Sequence, residues 1–285
     1  MGSLNNIVRA VRPDQWVKNL LVLSAPIAAG TLTETSTFLK ASFTMILFIF
    51  ASSAVYVFND MRDKQLDTFH PIKSLRPVAL GQVSCKAAVS VGFSCFLVAL
   101  TSALFFNLSV GCVLIIYFSV NIAYSLLIKN VPFIELFFVA SGFTLRAIAG
   151  GLATDTPFTF SYISVVSFSS LYLISCKRYS EFVAHEKYDF RPVLKGYSQR
   201  SLLIVIAASI FGSFLMYLIW VSQDGTTNNV LAILSLGIYS FALLRFGYLA
   251  KLGSCENPAR VLFEDQLLVF MLISWVCLYV GSVYG

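Results

Sequence analysis

Apolar residues fill this chain in long unbroken blocks. Residues 41–59, 87–128, 156–176, 201–223, 225–244 and 266–285 contain no Asp, Glu, Lys or Arg. A helix crosses the hydrocarbon core of a bilayer with about 20 mostly apolar residues, and most of these blocks have that length. The block 87–128 has room for two crossings, with a break near Asn107. The pattern predicts nine membrane-spanning helices: Trp16–Gly30, Ala41–Phe58, Cys85–Phe105, Val110–Ile128, Phe133–Gly151, Phe160–Cys176, Leu202–Val221, Val230–Ala250 and Leu267–Val283. The first is short and contains Pro26, which predicts a kink. The fifth ends on Gly150-Gly151 and carries charge within it.

The expected fold class is therefore all-α: one polytopic membrane domain over residues 1–285, its nine helices surrounding a cavity open to the cytoplasmic side. Composition agrees. The chain is 58% hydrophobic and 12% charged, whereas soluble domains are about one-quarter charged. That argues against a soluble enzyme, a secreted disulfide scaffold and a disordered tail. Cys85, Cys95, Cys112, Cys176, Cys255 and Cys277 show no paired spacing. They are expected to be reduced, without disulfides or zinc. No cleavable leader is expected, because no small-residue cleavage site follows the first apolar run.

Charge gives orientation. Lys and Arg concentrate on the cytoplasmic side of membrane proteins. With the N-terminus placed in the cytoplasm, 18 of the 20 basic residues fall on that side. Lys40 falls outside and Arg146 lies within a span. A miscount of spans by one would destroy this split, so the C-terminus is expected outside, in an inner (cytoplasmic) membrane. The net charge of +6 then reflects orientation in a lipid bilayer and gives no reason to invoke nucleic acid.

The most informative stretch follows the second predicted span: Asn59-Asp60-Met61-Arg62-Asp63-Lys64-Gln65-Leu66-Asp67. On a helix Asp60, Asp63 and Asp67 share one face. Carboxylates so placed repel one another unless a cation lies among them, and hard oxygen ligands suit Mg²⁺, which commonly bridges to phosphate. Asn59 offers a further oxygen. Lys73 and Arg76 follow, which suits a phosphorylated ligand. The alternative is a solvated loop of mixed charge.

The run N-D-x-x-D-x-x-x-D, then Arg76-Pro77 and Gly81, resembles the UbiA superfamily of intramembrane prenyltransferases. Arg12-Pro13-Asp14-Gln15-Trp16-Val17-Lys18-Asn19, Leu145-Arg146-Ala147-Ile148-Ala149-Gly150-Gly151, Lys177-Arg178-Tyr179-Ser180-Glu181 and Phe241-Ala242-Leu243-Leu244-Arg245-Phe246 resemble its polyprenyl-phosphate (decaprenyl-phosphate) phosphoribosyltransferase branch. The resemblance runs from about residue 9 to the end. It implies that a polyprenyl phosphate attacks C1 of 5-phosphoribosyl 1-diphosphate and that diphosphate leaves. The product is an early precursor of lipid-linked arabinose in cell-wall arabinan biosynthesis. Catalytic Asp60, Asp63 and Asp67, with Asn59, would hold Mg²⁺ against the leaving diphosphate. The nucleophile is already anionic, so positioning and electrostatics would carry the reaction.

Aromatic prenyltransferases of the superfamily carry a second D-x-x-x-D motif on the sixth connection. This chain has Lys177, Arg178 and Glu181 there. Two cations in place of an aspartate argue for direct phosphate binding and against a prenyl diphosphate donor. The alternatives are ordinary positive flanking of a span and a Lys177–Glu181 helix pair. A transporter is a third reading, but transporter sites usually lie near the membrane midplane, and here the polar residues cluster at one face.

Further substrate-binding candidates remain. Helical spacing places Arg12, Gln15 and Asn19 on one stripe with Lys18 at its edge, either cradling a phosphate or, with Trp16, anchoring the interface. Tyr124 and Lys129 end the fourth span; the superfamily often has a Tyr and a Lys here that contact diphosphate, and snorkelling is the alternative. Arg146, a cation deep in a span, either pairs within the bundle or meets substrate. Lys187, Arg191, Lys195 and Arg200 read mainly as surface charges near anionic lipid. His70 and His185 lack metal-ligand companions and read as solvated, with His70 able to donate to a phosphate.

Overall fold

The computed structural model describes residues 2–69, 73–184, 191–223 and 229–284. The elements follow in chain order: α1 (Gly2–Ala10), a 3₁₀ run (Pro13–Leu23), α2 (Ser24–Ala28), α3 (Thr35–Arg62), α4 (Lys64–Asp67), a 3₁₀ turn (Lys73–Leu75), α5 (Cys85–Phe106), α6 (Leu108–Ala123), a π-helical turn (Tyr124–Ile128), α7 (Ile134–Ala153), α8 (Phe160–Ala184), a 3₁₀ run (Pro192–Gly196), α9 (Gln199–Gln223), α10 (Asn229–Lys251), a 3₁₀ turn (Ser254–Glu256), α11 (Pro258–Glu264) and α12 (Gln266–Tyr284). Among the described residues, 8 helices are long and apolar enough to cross a membrane. His70, His185 and Lys187 lie outside the described residues.

Local sequence explains the boundaries. The long charge-free block divides at Asn107, whose side chain accepts from the Val110 amide at 3.2 Å and so caps α6. Ser84 caps α5 in the same way through the Ala87 amide, at 3.2 Å. These caps satisfy amides that would otherwise end the helix unpaired.

Eight of the nine expected spans are long apolar helices among the described residues; the first, Trp16–Gly30, differs in helix type. Pro13–Ala28 is a 3₁₀ run continued by five residues of α-helix. It still passes from one end of the bundle to the other. Arg12 meets Asp60 at one end. At the other, Ala28 O accepts from the Tyr279 hydroxyl at 3.0 Å, and Thr31 meets Thr156 at 3.4 Å. Helix type also corrects the expected stripe. A 3₁₀ helix repeats every three residues, so Gln15 and Lys18 share one face while Asn19 and Val22 turn to another, and those last two are the buried ones.

The two largest buried clusters divide between two groups of helices. Phe48, Ala51, Ala99, Ala103, Leu114, Tyr117 and Ala149 fill the first, from α3, α5, α6 and α7. Tyr172, Tyr217, Trp220, Tyr239, Phe246 and Tyr279 fill the second, from α8, α9, α10 and α12. Packing of α7 on α8 joins the groups. Helices in lipid associate through close packing, and small residues permit it. Gly150 is the sharpest case: a Cβ there would lie 1.8 Å from the backbone oxygen of Val22. Gly150→Ala must push the 3₁₀ run off α7. We expect a loss of about 1–3 kcal/mol, read as a lowered unfolding temperature of the purified protein in detergent.

Two predicted connections are helical. α3 continues through Asn59, Asp60 and Arg62, and α8 continues through Lys177, Arg178 and Glu181 to Ala184. The charges at these ends are paired within the bundle, so neither helix needs to stop before them.

Candidate active site

The charged ends of α3 and α8, the start of α7 and the run after α6 meet at one end of the bundle. The chain builds two clusters there.

The first cluster lies at the end of α3. Asp60 is buried, 2% exposed, and pairs with Arg12. Arg76 Nη1 donates to Asp60 Oδ1 at 3.1 Å and to Asp67 Oδ2 at 2.6 Å, so one guanidinium bridges both carboxylates. Arg12 also stacks over Tyr56, 5.1 Å from the ring centre. The three aspartates do not share a helix face, because α3 ends at Arg62 and Asp63 forms the junction to α4. Asp63 instead pairs with Lys129 Nζ at 2.5 Å. Among the described residues no three carboxylate, Cys or His side chains converge as a metal site.

Two oxygens nevertheless remain unsatisfied in this cluster. Asn59 Oδ1 and Asp60 Oδ2 are buried without a hydrogen-bond partner. Buried polar atoms are rarely left so, and a missing ion or water is a standard explanation. Two unsatisfied hard oxygens from consecutive residues are the donor chemistry that Mg²⁺ takes, so these residues fit that ion although Asp63 is turned away.

The second cluster centres on Glu181. Arg178 Nη1 donates to Glu181 Oε2 at 2.9 Å. Arg191 Nη1 donates to both oxygens, at 3.2 and 3.3 Å. Lys177 Nζ stands 3.8 Å from Oε1. Arg191 also reaches the Tyr124 hydroxyl, at 3.4 Å. Arg178 is itself buried, 2% exposed. Its Nη2 donates to Glu135 Oε2 at 2.8 Å, and its Nε pairs with Oε1 of the same carboxylate. Glu135 is wholly buried and also accepts from the Tyr197 hydroxyl, at 3.2 Å. The guanidinium expected to meet a phosphate is thus enclosed by carboxylates. Sequence reasoning missed the Glu135 pairing and the Arg191 contact. The signal for the first was an acid and a base in neighbouring spans, each costly in lipid unless paired.

Lys73 lies in the field of both clusters. Burial first, then the fields of Arg191 and Arg76, push its pKa down to about 8, against the pull of Asp67 and Glu181. Gln15 turns to Asp14, at 2.5 Å, and Lys18 shares its face. Arg62 ties the end of α3 to the π-helical turn through Ser125 Oγ at 3.1 Å. That turn, a geometry often found at functional sites, presents Tyr124 on one side and Lys129 on the other.

Arg146 belongs to neither cluster. Its Nε donates to Asn19 Oδ1 at 2.8 Å, its Nη1 to Gly142 O at 2.6 Å and its Nη2 to Tyr117 OH at 3.1 Å. Phe48 and Phe143 flank it. Of its two expected roles the structure shows pairing within the bundle, and Asn19, expected at a phosphate, is that partner.

An all-helical membrane bundle whose charged residues gather at one end, with carboxylates interleaved among arginines and lysines, has the architecture of a polytopic membrane transferase. The chain belongs to the UbiA prenyltransferase family, which it matches over residues 20–281. It is 32% identical to the decaprenyl-phosphate phosphoribosyltransferase of Corynebacterium glutamicum, over 98% of this chain and 87% of that protein. It is also 32% identical to the protein of that name from Mycobacterium tuberculosis, over 95% and 91%. A UbiA homolog from Archaeoglobus fulgidus, solved with GPP and Mg²⁺, superposes with a TM-score of 0.72 at 15% identity, covering 98% of this chain and 99% of that one. At that identity the likeness shows the fold.

Proposed function

We propose that this protein transfers 5-phosphoribose from 5-phosphoribosyl 1-diphosphate to a polyprenyl phosphate. An oxygen of the lipid phosphate attacks C1 of the ribose. The bond from C1 to the diphosphate oxygen breaks, and diphosphate leaves with the electron pair. The observation that carries this reading is the Glu181 cluster: among the described residues, Lys177 and Arg178 accompany a single carboxylate, Glu181, at the end of α8, where a prenyl diphosphate donor would call for a second pair of aspartates. The near-full-length similarity to two phosphoribosyltransferases supports it independently.

Residue roles follow from the geometry. Asn59 and Asp60 would hold Mg²⁺, which neutralises charge on the leaving diphosphate when bound. Arg12 and Arg76 add fixed positive charge beside them, and Asp67 keeps Arg76 in place. Lys129 stands on Asp63 and Tyr124 on Arg191, either side of the π-helical turn. No side chain needs to take a proton from an anionic nucleophile, so the protein's contribution is orientation and electrostatic preorganisation. The site faces the cytoplasm, the side to which most of the Lys and Arg residues are assigned.

The test uses membranes containing the protein, Mg²⁺, polyprenyl phosphate and phosphoribosyl diphosphate labelled in the ribose. Label is expected in the lipid phase, to vanish with EDTA and to return with added Mg²⁺. Absence of transfer, with prenylation of an aromatic acid from a polyprenyl diphosphate, would replace this reading with the aromatic prenyltransferase one.

A further inference from the structure

Helix α1 has an apolar face that the bundle covers only in part. Leu4, Ile7 and Val8 recur at i, i+3 and i+4 and share one side of the helix, which Val11 continues just beyond it. Ile7, Ala10 and Val11 pack on Val57, Val78 and Val83, and Ala10 is 3% exposed. Leu4 and Val8, on the same side, are 70% and 46% exposed. Their position says what covers them. Arg9 Nη2 donates to Leu75 O at 3.4 Å, which sets α1 at the charged end of the bundle. Ala87 and Ala88, in the first turn of α5, join the cluster under α1. From that turn Val89, Phe93 and Leu97 follow at intervals of four, all exposed, as the outward ridge of a helix long and apolar enough to cross the membrane. The spare apolar half of α1 thus lies where a lipid-facing surface begins. Arg9 and Lys86 are exposed beside it and suit anionic head groups.

We propose that α1 is an interfacial helix bound to the lipid surface. Leu4 and Val8 enter the boundary between head groups and acyl chains in the leaflet at the charged end, the usual depth for an amphipathic helix that lies on a membrane. This lipid contact, together with Ile7 and Ala10, holds α1 on the bundle. Arg12 is the joint between α1 and the 3₁₀ run, and its backbone is left-handed, with φ 53° and ψ 68°. A residue with a side chain keeps that conformation where its surroundings over-determine it. Asp60 and Tyr56 fix the Arg12 guanidinium, and α1 fixes the chain before it. The joint therefore ties a helix held by lipid to a run held by protein.

Fluorescence of the full chain in vesicles of phosphatidylcholine and phosphatidylglycerol tests the seat without reference to the reaction. Leu4→Trp and Val8→Trp each add an indole to a chain whose own tryptophans, Trp16, Trp220 and Trp275, supply the baseline. The quencher is phosphatidylcholine brominated high on its acyl chains. The added emission of both variants is expected to be blue-shifted and mostly lost to the brominated lipid. Asn6→Trp, two residues after Leu4 and so on the opposite side of the helix, should keep its emission. Indole prefers the interface wherever it is placed, so the difference between the two sides is the reading. Equal quenching on both sides, or none at Leu4 and Val8, overturns the proposal. So does a blue shift without bromine quenching, which would assign the face to a second copy of the chain. Trypsin reads the hold on α1, because cutting needs local opening. It cuts after Arg9 but not after Arg12, which Pro13 follows. The double variant Leu4→Asp with Val8→Asp is expected to be cut at Arg9 several-fold faster than wild type in the same vesicles, with an unfolding temperature near wild type. Equal cutting would show that Ile7 and Ala10 hold α1 without lipid, and the proposal would fail.

Discussion

Asp60→Asn is expected to lower phosphoribosyl transfer by about 10²–10⁴-fold while the protein remains folded. Metal-assisted stabilisation of developing charge contributes several kcal/mol, and about 1.4 kcal/mol corresponds to a factor of ten. Asp60 has two tasks in the structure. Its Oδ1 receives Arg12 and Arg76, and its Oδ2 is buried with no partner. Asparagine preserves the volume and one carbonyl oxygen but removes the negative charge. The two guanidiniums lose a counter-ion, and the position proposed for Mg²⁺ would lose its anionic ligand. Label transfer in membranes measures the first effect, and thermal unfolding in detergent checks the fold. If transfer stays at the wild-type rate, Asp60 is only the counter-ion of Arg12 and Arg76. Asp63→Asn is the natural comparison. Asp63 is turned toward Lys129, so its loss is expected to cost less.

Glu135→Ala is expected to destabilise the protein by about 3–5 kcal/mol, the usual penalty for stranding one partner of a buried ion pair. Arg178 would keep its charge in a site where its side chain is 2% exposed, with Glu181 alone to meet it. Tyr197 would lose an acceptor as well. Thermal unfolding in detergent reads the loss. The double variant Glu135→Leu with Arg178→Met separates stability from function. Removing both charges leaves nothing stranded and can restore stability, but Glu181 then lacks its fixed partner. Recovery of the unfolding temperature together with weaker donor binding is the expected outcome. Full recovery of donor binding would show that Arg178 does not position Glu181.

The sequence makes some of this legible and hides the rest for identifiable reasons. Spans rest on the absence of charge, and a charge-free run such as 87–128 shows both the spans and the break at Asn107. The aspartate run shows where phosphate chemistry gathers, because three carboxylates in eight residues at a membrane edge have few structural uses. Its geometry is not legible. Whether Asp63 stays on the face of Asp60 depends on where α3 ends, and that depends on Lys129 and Ser125, some 60 residues away. The same holds for Arg178. Its neighbours in sequence suggest a phosphate contact, while its partner Glu135 comes from the preceding helix. Arg191 reads as a surface charge until folding brings it against Glu181 and Tyr124. Long-range pairing decides which cations are spent on the fold and which stay available to ligand.

The 3₁₀ run at Pro13–Leu23 has a metric consequence. An α-helix rises about 1.5 Å per residue and a 3₁₀ helix about 2.0 Å. Pro13–Ala28 as α-helix throughout would reach about 24 Å. With its first eleven residues in the narrower form it reaches about 30 Å, the thickness of the hydrocarbon core. The segment passes from Asp60 to Thr156 with fewer residues than a count of twenty demands, because it trades girth for pitch. The slimmer helix lays its backbone at Val22 directly against Gly150.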